Sequence, residues 1–198
     1  MSGTFLVLEG LDGAGTTTQL ERLVQAIGGV PTFEPSDGPA GRLIREALAQ
    51  QNPLSERVLP YLFAADRRDH LDRLIAPTVA EGRTVVSDRY VASSLAYQSL
   101  TAPVELIWRL NRDFRAPDLT LFVDLPVAIC ADRVEARARA GGTRDIFETR
   151  ERLTEIAARY EVALALLAEH GHPIARIDGH GTVEQVHQRV MAAVREVS

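Results

Sequence analysis

The chain has 198 residues, 45% of them hydrophobic and 25% charged, with a formal net charge of −5. Those proportions predict one globular domain that buries roughly 70% of its unfolded surface, and the acidic balance argues against a non-specific nucleic-acid binder. The single cysteine, Cys130, excludes an intramolecular disulfide and a Cys-rich zinc site, and the absence of lysine (all 22 basic residues are arginine) excludes catalysis through a lysine amine. No leader pattern opens the sequence and no apolar run approaches the ~18 residues of a membrane helix, which predicts a soluble cytoplasmic protein without a membrane partner.

In chain order, a strand is predicted at Thr4–Glu9, then the glycine-rich stretch Gly10–Gly15 and a helix over Thr17–Ile27. A weaker strand at Val30–Phe33 is followed by helices over Ala40–Gln50 and Leu54–Glu81, and a strand at Thr84–Ser87. Then come a helix over Val104–Arg112, a strand at Leu119–Leu125, and helices over Val127–Ala140 and Arg150–His170. A strand at Ile174–Ile177 and a helix over Thr182–Val197 complete the pattern, with Gly82, Gly171 and Gly181 at helix ends. This alternation predicts an α/β fold of three layers: about five parallel strands with helices on both faces and the site outside the strands' carboxyl ends. Gly141–Gly142 interrupts an arginine-rich run and reads as the tip of a small mobile lid, approximately residues 134–149.

Gly10-Leu11-Asp12-Gly13-Ala14-Gly15-Thr16-Thr17 has the spacing G-x-x-x-x-G-K-[ST] of a nucleotide phosphate loop, between a strand and a helix as that pattern requires. Its glycines let backbone N–H groups converge on phosphate oxygens at a helix N-terminus. Thr17 stands where the hydroxyl ligand of Mg²⁺ is expected. Thr16 stands where the lysine is expected.

The surrounding residues carry a resemblance. Glu9 through Gly15, ending in Thr17-Thr18-Gln19, resembles the phosphate loop of thymidylate kinases, E-G-x-D-G-x-G-K-[ST]-T-Q. Further along, Tyr61–Arg67 is similar to that family's F-A-A-x-R helix, and Asp88-Arg89-Tyr90 through Ser94, Tyr97 and Gln98 to its D-R-Y-x-x-S-x-x-A-Y-Q segment. Pro117–Pro126 resembles the P-D-L-T-x-x-L-D-x-P strand, Val134–Glu148 the lid, and Ile177-Asp178 with Val183–Val186 the last strand and helix. The resemblance covers most of the chain and keeps the family's order.

It implies a nucleoside monophosphate kinase that moves the γ-phosphoryl of ATP to dTMP with Mg²⁺, usually as a homodimer. ATP would lie on residues 10–18 and Arg137. Asp12 would face the acceptor nucleotide, Asp88 would join Thr17 in the magnesium shell through water, and Arg89 would hold the acceptor phosphate. Phe63 would stack on thymine and Arg67 hydrogen-bond it, the two sharing a helix face, with Ser94, Tyr97 and Gln98 lining base and sugar. The ring of Tyr97 would crowd a 2′-hydroxyl.

The uncharged Gly13 and Ala14 favour the bacterial form, in which lid arginines stabilise the migrating phosphoryl group. Arg139 and Arg144 join Asp12 and Arg89 as the catalytic candidates, and with Arg137 the two lid arginines form the cluster able to replace the missing lysine. Two departures stand out: Ile146 occupies the arginine position of a D-R-x-E pattern otherwise matched by Asp145 and Glu148, and Phe33 precedes Glu34-Pro35 where R-E-P is usual. Arg42 and Arg45 are the arginines near enough to serve for Phe33. A kinase with another deoxynucleotide or deoxynucleoside acceptor, and a silent nucleotide-binding protein lacking the lysine, remain alternatives at this point.

Overall fold

The strand before the glycine-rich stretch, β1 (Phe5–Gly10), is buried at all six positions, so both of its faces are covered. It is the central strand of the computed structural model, which describes residues 3–141 and 149–196. On one side β1 pairs with β3 (Val85–Asp88), which pairs in turn with the edge strand β2 (Val30–Phe33). On the other it pairs with β4 (Leu119–Asp124), and β4 with the edge strand β5 (Ile174–Asp178). All pairings are parallel, in the order β2-β3-β1-β4-β5. Pro31 sits in an edge strand, where a missing N–H is tolerated. The register sets Leu8 of β1 opposite Asp88 of β3, which brings the chemistry-bearing ends of these strands together.

Helix α1 (Thr16–Ile27) begins directly at the glycine-rich turn and packs against α9 (Val183–Arg195). α9 starts with a capping box: the Thr182 hydroxyl accepts from the Gln185 amide, and Gln185 returns a bond to the Thr182 N–H. Helices α2 (Pro39–Leu48) and α3 (Leu59–His70) pack on one another beyond β2.

The predicted helix Leu54–Glu81 is corrected into three pieces. Residues 51–57 are mostly exposed and non-helical, and α3 begins only at Leu59, with Pro60 in its first turn where a missing N–H costs nothing. After His70 the backbone widens into one π-helical turn, Leu71–Ile75, closed by the Ala76 N–H on the Leu71 carbonyl, before α4 (Ala76–Ala80). Pro77 supplies the reason: its ring and missing N–H forbid an ordinary α-helical turn there, and the wider turn absorbs the conflict.

A helix absent from the sequence reading, α5 (Val91–Tyr97), follows β3 and is buried at all seven residues. A helix covered on every side has no polar stripe, so its sequence VASSLAY carries no 3.6-residue signal. It packs against α8 (Arg150–Glu169) and α6 (Val104–Asn111), and α7 (Val127–Arg139) packs against α8.

Candidate active site

The glycine-rich stretch leaves β1 and turns sharply into α1. Gly13 and Gly15 both lie in the left-handed region, with φ of 89° and 98°. A Cβ at Gly13 would also collide with the carbonyl oxygen of Cys130 in α7, so the turn and α7 are seated directly on each other. Cys130 itself is buried and its thiol is pushed up to about 11 by that burial, which removes it as a nucleophile.

Residues 11–19 together with Asp88, Arg89, Arg133, Arg137 and parts of the loop around Gly179–Gly181 line a cavity of about 550 Å³. At its floor the Thr17 hydroxyl donates to Asp88 Oδ2 at 2.6 Å, while Asp88 Oδ1 is buried without a hydrogen-bond partner among the described residues. Among those residues no cluster of three or more His, Cys, Asp or Glu side chains could hold a metal by itself. Thr16 opens α1 and is buried, its methyl group close under Gly10.

Beside this cavity a second one, about 120 Å³, is lined by Asp12, Glu34, Phe63, Arg67, Arg89, Ser94, Tyr97 and Gln98, among others. Every residue the sequence assigned to the acceptor nucleotide is therefore brought to one place. Asp12 and Arg89 line both cavities. Arg89 Nη2 pairs with Asp12 Oδ1, and the Tyr97 hydroxyl donates to Asp12 Oδ2 at 3.0 Å. Arg89 lies over the Tyr97 ring at 5.0 Å. Its Nη1 reaches the Gly10 carbonyl, Ser93 Oγ and the Tyr160 hydroxyl at 3.1–3.2 Å.

The groups behind Arg89 were given no role by the sequence reading. Glu9 is fully buried and accepts from the Tyr90 and Ser93 amides, the Ser93 hydroxyl and the Tyr160 hydroxyl. Its one visible signal is a carboxylate inside an otherwise apolar strand; Tyr160, 151 residues away, gives none. Burial pushes the Glu9 carboxyl above the usual carboxylate range, against the lowering effects of Ser93, Arg89 and the Tyr90 amide. Because the folded value is raised, the folded protein holds this proton when the unfolded chain has lost it. That contribution to stability is complete below the reference value of 4.5 and is lost as pH rises through the folded value. Urea unfolding of Glu9→Gln and the parent across this range should show the stability difference shifting in favour of the variant as pH rises; a constant difference would refute the raised value.

Arg67 was expected to read the base, and most of its donors are already engaged. Only 1% exposed, it donates from Nε and Nη2 to Glu34 Oε2 at 2.9 and 2.6 Å, from Nη2 to Ser94 Oγ at 3.0 Å, and from Nη1 to Asn111 Oδ1. Glu34 is held in turn by His70, and His70 by the Thr32 hydroxyl. Four named bonds leave one of the five guanidinium hydrogens for a ligand. Gln98 lines the same cavity, and its Oε1 is buried and lacks a hydrogen-bond partner among the described residues.

Neither arginine suggested for the Phe33 position enters the acceptor cavity. Arg45 lies 5.8 Å from the Phe33 ring centre and donates to the carbonyls of Pro35 and Ser36, and Arg42 donates to the carbonyl of Asp37. In α7, Arg133 and Arg137 line the larger cavity, whereas Arg139 does not and bonds back to the Glu135 carbonyl at 3.4 Å. Arg133, just ahead of Val134–Glu148, is given no role by the sequence. Gly142, Arg144, Asp145, Ile146 and Glu148 lie outside the described residues.

The profile of a family described as thymidylate kinase matches residues 8–190 of this sequence. A protein named as a thymidylate kinase in Treponema pallidum is 36% identical, the match covering 97% of this chain and 95% of that protein. Proteins of the same name in Pyrococcus abyssi and Pyrobaculum aerophilum are 34% and 36% identical, each over 98% of this chain and 97% of the relative.

Proposed function

The chain belongs to the thymidylate kinase family, and from that premise we propose how its own residues carry the reaction. It is a nucleoside monophosphate kinase, transferring the γ-phosphoryl of ATP to dTMP to give dTDP and ADP. An oxygen of the dTMP phosphate forms the new bond to the γ-phosphorus as the bond to the β,γ-bridging oxygen breaks. No covalent enzyme intermediate is needed, because positioning and charge neutralisation carry such transfers. The observation that carries the residue assignment is the sharing of Asp12 and Arg89 between the two cavities.

ATP lies in the larger cavity, with its phosphates on the amides of residues 10–18 and Arg137 beside them. dTMP enters the smaller one. Its phosphate meets the Arg89 fork, which exchanges part of its bonding to Asp12 for phosphate oxygens, and Asp12 orients the acceptor from the loop. Magnesium fits the floor of the larger cavity, since Asp88 keeps a buried carboxylate oxygen, unpartnered among the described residues, beside the Thr17 hydroxyl. A cation with few protein ligands is expected where phosphates supply the others. Thr17 and Asp88 would hold it, and when bound it would neutralise phosphate charge. The lid arginines Arg139 and Arg144 stabilise the charge of the migrating group, as in the bacterial form. We extend the reading to one domain of residues 1–198, a homodimer and a cytoplasmic location. Val58 and Tyr61, exposed at 41% and 53% around the start of α3, support a partnered surface beside the acceptor site. Among the described residues no helix is long and apolar enough to cross a membrane.

The acceptor wall also favours one kind of base. Gln98 Oε1 offers an acceptor and Arg67 a donor, matching the N3–H and carbonyl edge of thymine or uracil, whereas cytosine presents no N3–H. Phe63 supplies the stacking face, and the Tyr97 ring crowds a 2′-hydroxyl. A coupled assay of ADP release over a panel of acceptors should rank dTMP first. One methyl group is worth roughly 10- to 200-fold over dUMP, and a base that strands the buried acceptor should lose more. Turnover of dGMP or AMP as efficient as that of dTMP would overturn the assignment.

A further inference from the structure

Thr16 leaves the phosphate loop without the cation its pattern ordinarily carries, and no lysine exists elsewhere in the chain. One guanidinium nevertheless stands over that loop. Arg133, midway along α7, donates from Nη1 to the Gly13 carbonyl at 3.1 Å. The same nitrogen lies 4.0 Å from the position a Cβ on Gly15 would take, and Gly15 immediately precedes Thr16. The helix that carries it is seated on the loop where Gly13 meets Cys130, one turn before Arg133. Arg133 lines the larger cavity and forms no ion pair with a carboxylate among the described residues. The neighbouring acid, Asp132, is paired with Arg150 instead.

We propose that Arg133 is the replacement for the phosphate-loop lysine: a substrate-binding cation, delivered from α7, that contacts the donor's β-phosphate. The proposal rests on reading this cavity as the ATP site. In the free enzyme the guanidinium is parked on a neutral carbonyl. A phosphate oxygen is the stronger acceptor, so the exchange favours the nucleotide. Thr16 is packed beneath Gly10, and its small side chain leaves the space above the loop to a guanidinium arriving from outside. Arg133 already reaches the phosphate loop in the free protein. Its loss therefore falls on donor binding, in ground state and transition state alike, and appears in KM for ATP more than in kcat.

The test is titration of ADP and AMP against the parent, Arg133→Ala, Arg133→Gln, Thr16→Lys and the pair Arg133→Ala/Thr16→Lys, with circular dichroism confirming the fold. Arg133→Ala and Arg133→Gln should each weaken ADP by roughly 10- to 100-fold, the size of one charge-assisted bond, while AMP, which has no β-phosphate, stays nearly unchanged. Arg133→Gln keeps a donor for Gly13 and should fold even if the alanine variant does not. Thr16→Lys should restore most of the lost ADP affinity in the Arg133→Ala background and add far less in the parent. Unchanged ADP affinity in both Arg133 variants, equal losses for ADP and AMP, or an equal gain from Thr16→Lys in both backgrounds would overturn the proposal. A parent that turns over dTMP while ADP ignores Arg133 overturns this proposal alone. ADP binding that depends on Arg133 in a parent unable to phosphorylate dTMP overturns the acceptor assignment alone.

Discussion

Arg89→Ala is expected to lower kcat/KM for dTMP by roughly 10²- to 10³-fold, the cost of truncating one partner of a largely buried charge pair that we propose also holds the dTMP phosphate. Arg89 occupies the junction of the two cavities, paired with Asp12 and within reach of Gly10, Ser93 and Tyr160. Its removal strands the Asp12 carboxylate and withdraws the positive charge that faces Glu9, so folding stability should fall by about 2–4 kcal/mol; the side chain's partial exposure places this at the lower end for broken buried pairs. The position is demanding before any contact is counted. Arg89 has φ of 72°, a conformation unusual outside glycine, pinned by its N–H on the Leu8 carbonyl at 2.8 Å. Every non-glycine substitution carries that backbone cost, so Arg89→Lys isolates the head group. Lysine keeps the charge but not the two-pronged fork. It should recover much of the stability and little of the activity. Steady-state kinetics at saturating ATP beside urea unfolding separates the two effects, and an Arg89→Ala enzyme close to parental kcat/KM would remove Arg89 from the acceptor site.

The strands were legible because parallel strands buried on both faces are short apolar runs, and Thr84–Ser87 and Leu119–Leu125 need no partner to be recognised as such. α5 was not, because burial on all sides erases the periodicity that marks a surface helix. The Leu54–Glu81 reading joined pieces that Pro60 and Pro77 divide, one by fixing where a helix starts and the other by widening the turn before it. Within the site, the residues of the quoted motifs converge, since spacing in a strand-turn-helix unit nearly dictates geometry. Long-range support was invisible. Tyr160 reaches Glu9, and Asn111 reaches Arg67, across 151 and 44 residues, which no local pattern encodes. Arg133 was hidden for another reason. It is one of several arginines in a basic run, and only the seating of α7 on Gly13 distinguishes it from Arg139.

That distinction separates two kinds of arginine, and the double variant Arg139→Ala/Arg144→Ala should expose the second kind. It is expected to lower kcat by roughly 10³-fold, the scale of an arginine that meets charge only as the phosphoryl group moves. Arg139 is exposed and turned back on Glu135, outside the residues that line the larger cavity proposed for ATP, so it is expected to contribute little to holding ATP in this conformation. Any contribution to catalysis must then arise after both substrates are bound, and removing a group of that sort lowers kcat without raising KM. Affinity for dTMP should be nearly unchanged, because the proposed holders of its phosphate and base, Arg89, Arg67 and Gln98, are left intact. The contrast with Arg133→Ala is the discriminating measurement: one variant loses turnover at parental nucleotide affinity, the other loses ADP affinity. Near-parental kcat in the double variant would mean that backbone amides, the cation and Arg133 suffice for transfer. In that case the basic run beyond Arg137 would have no part in the chemistry.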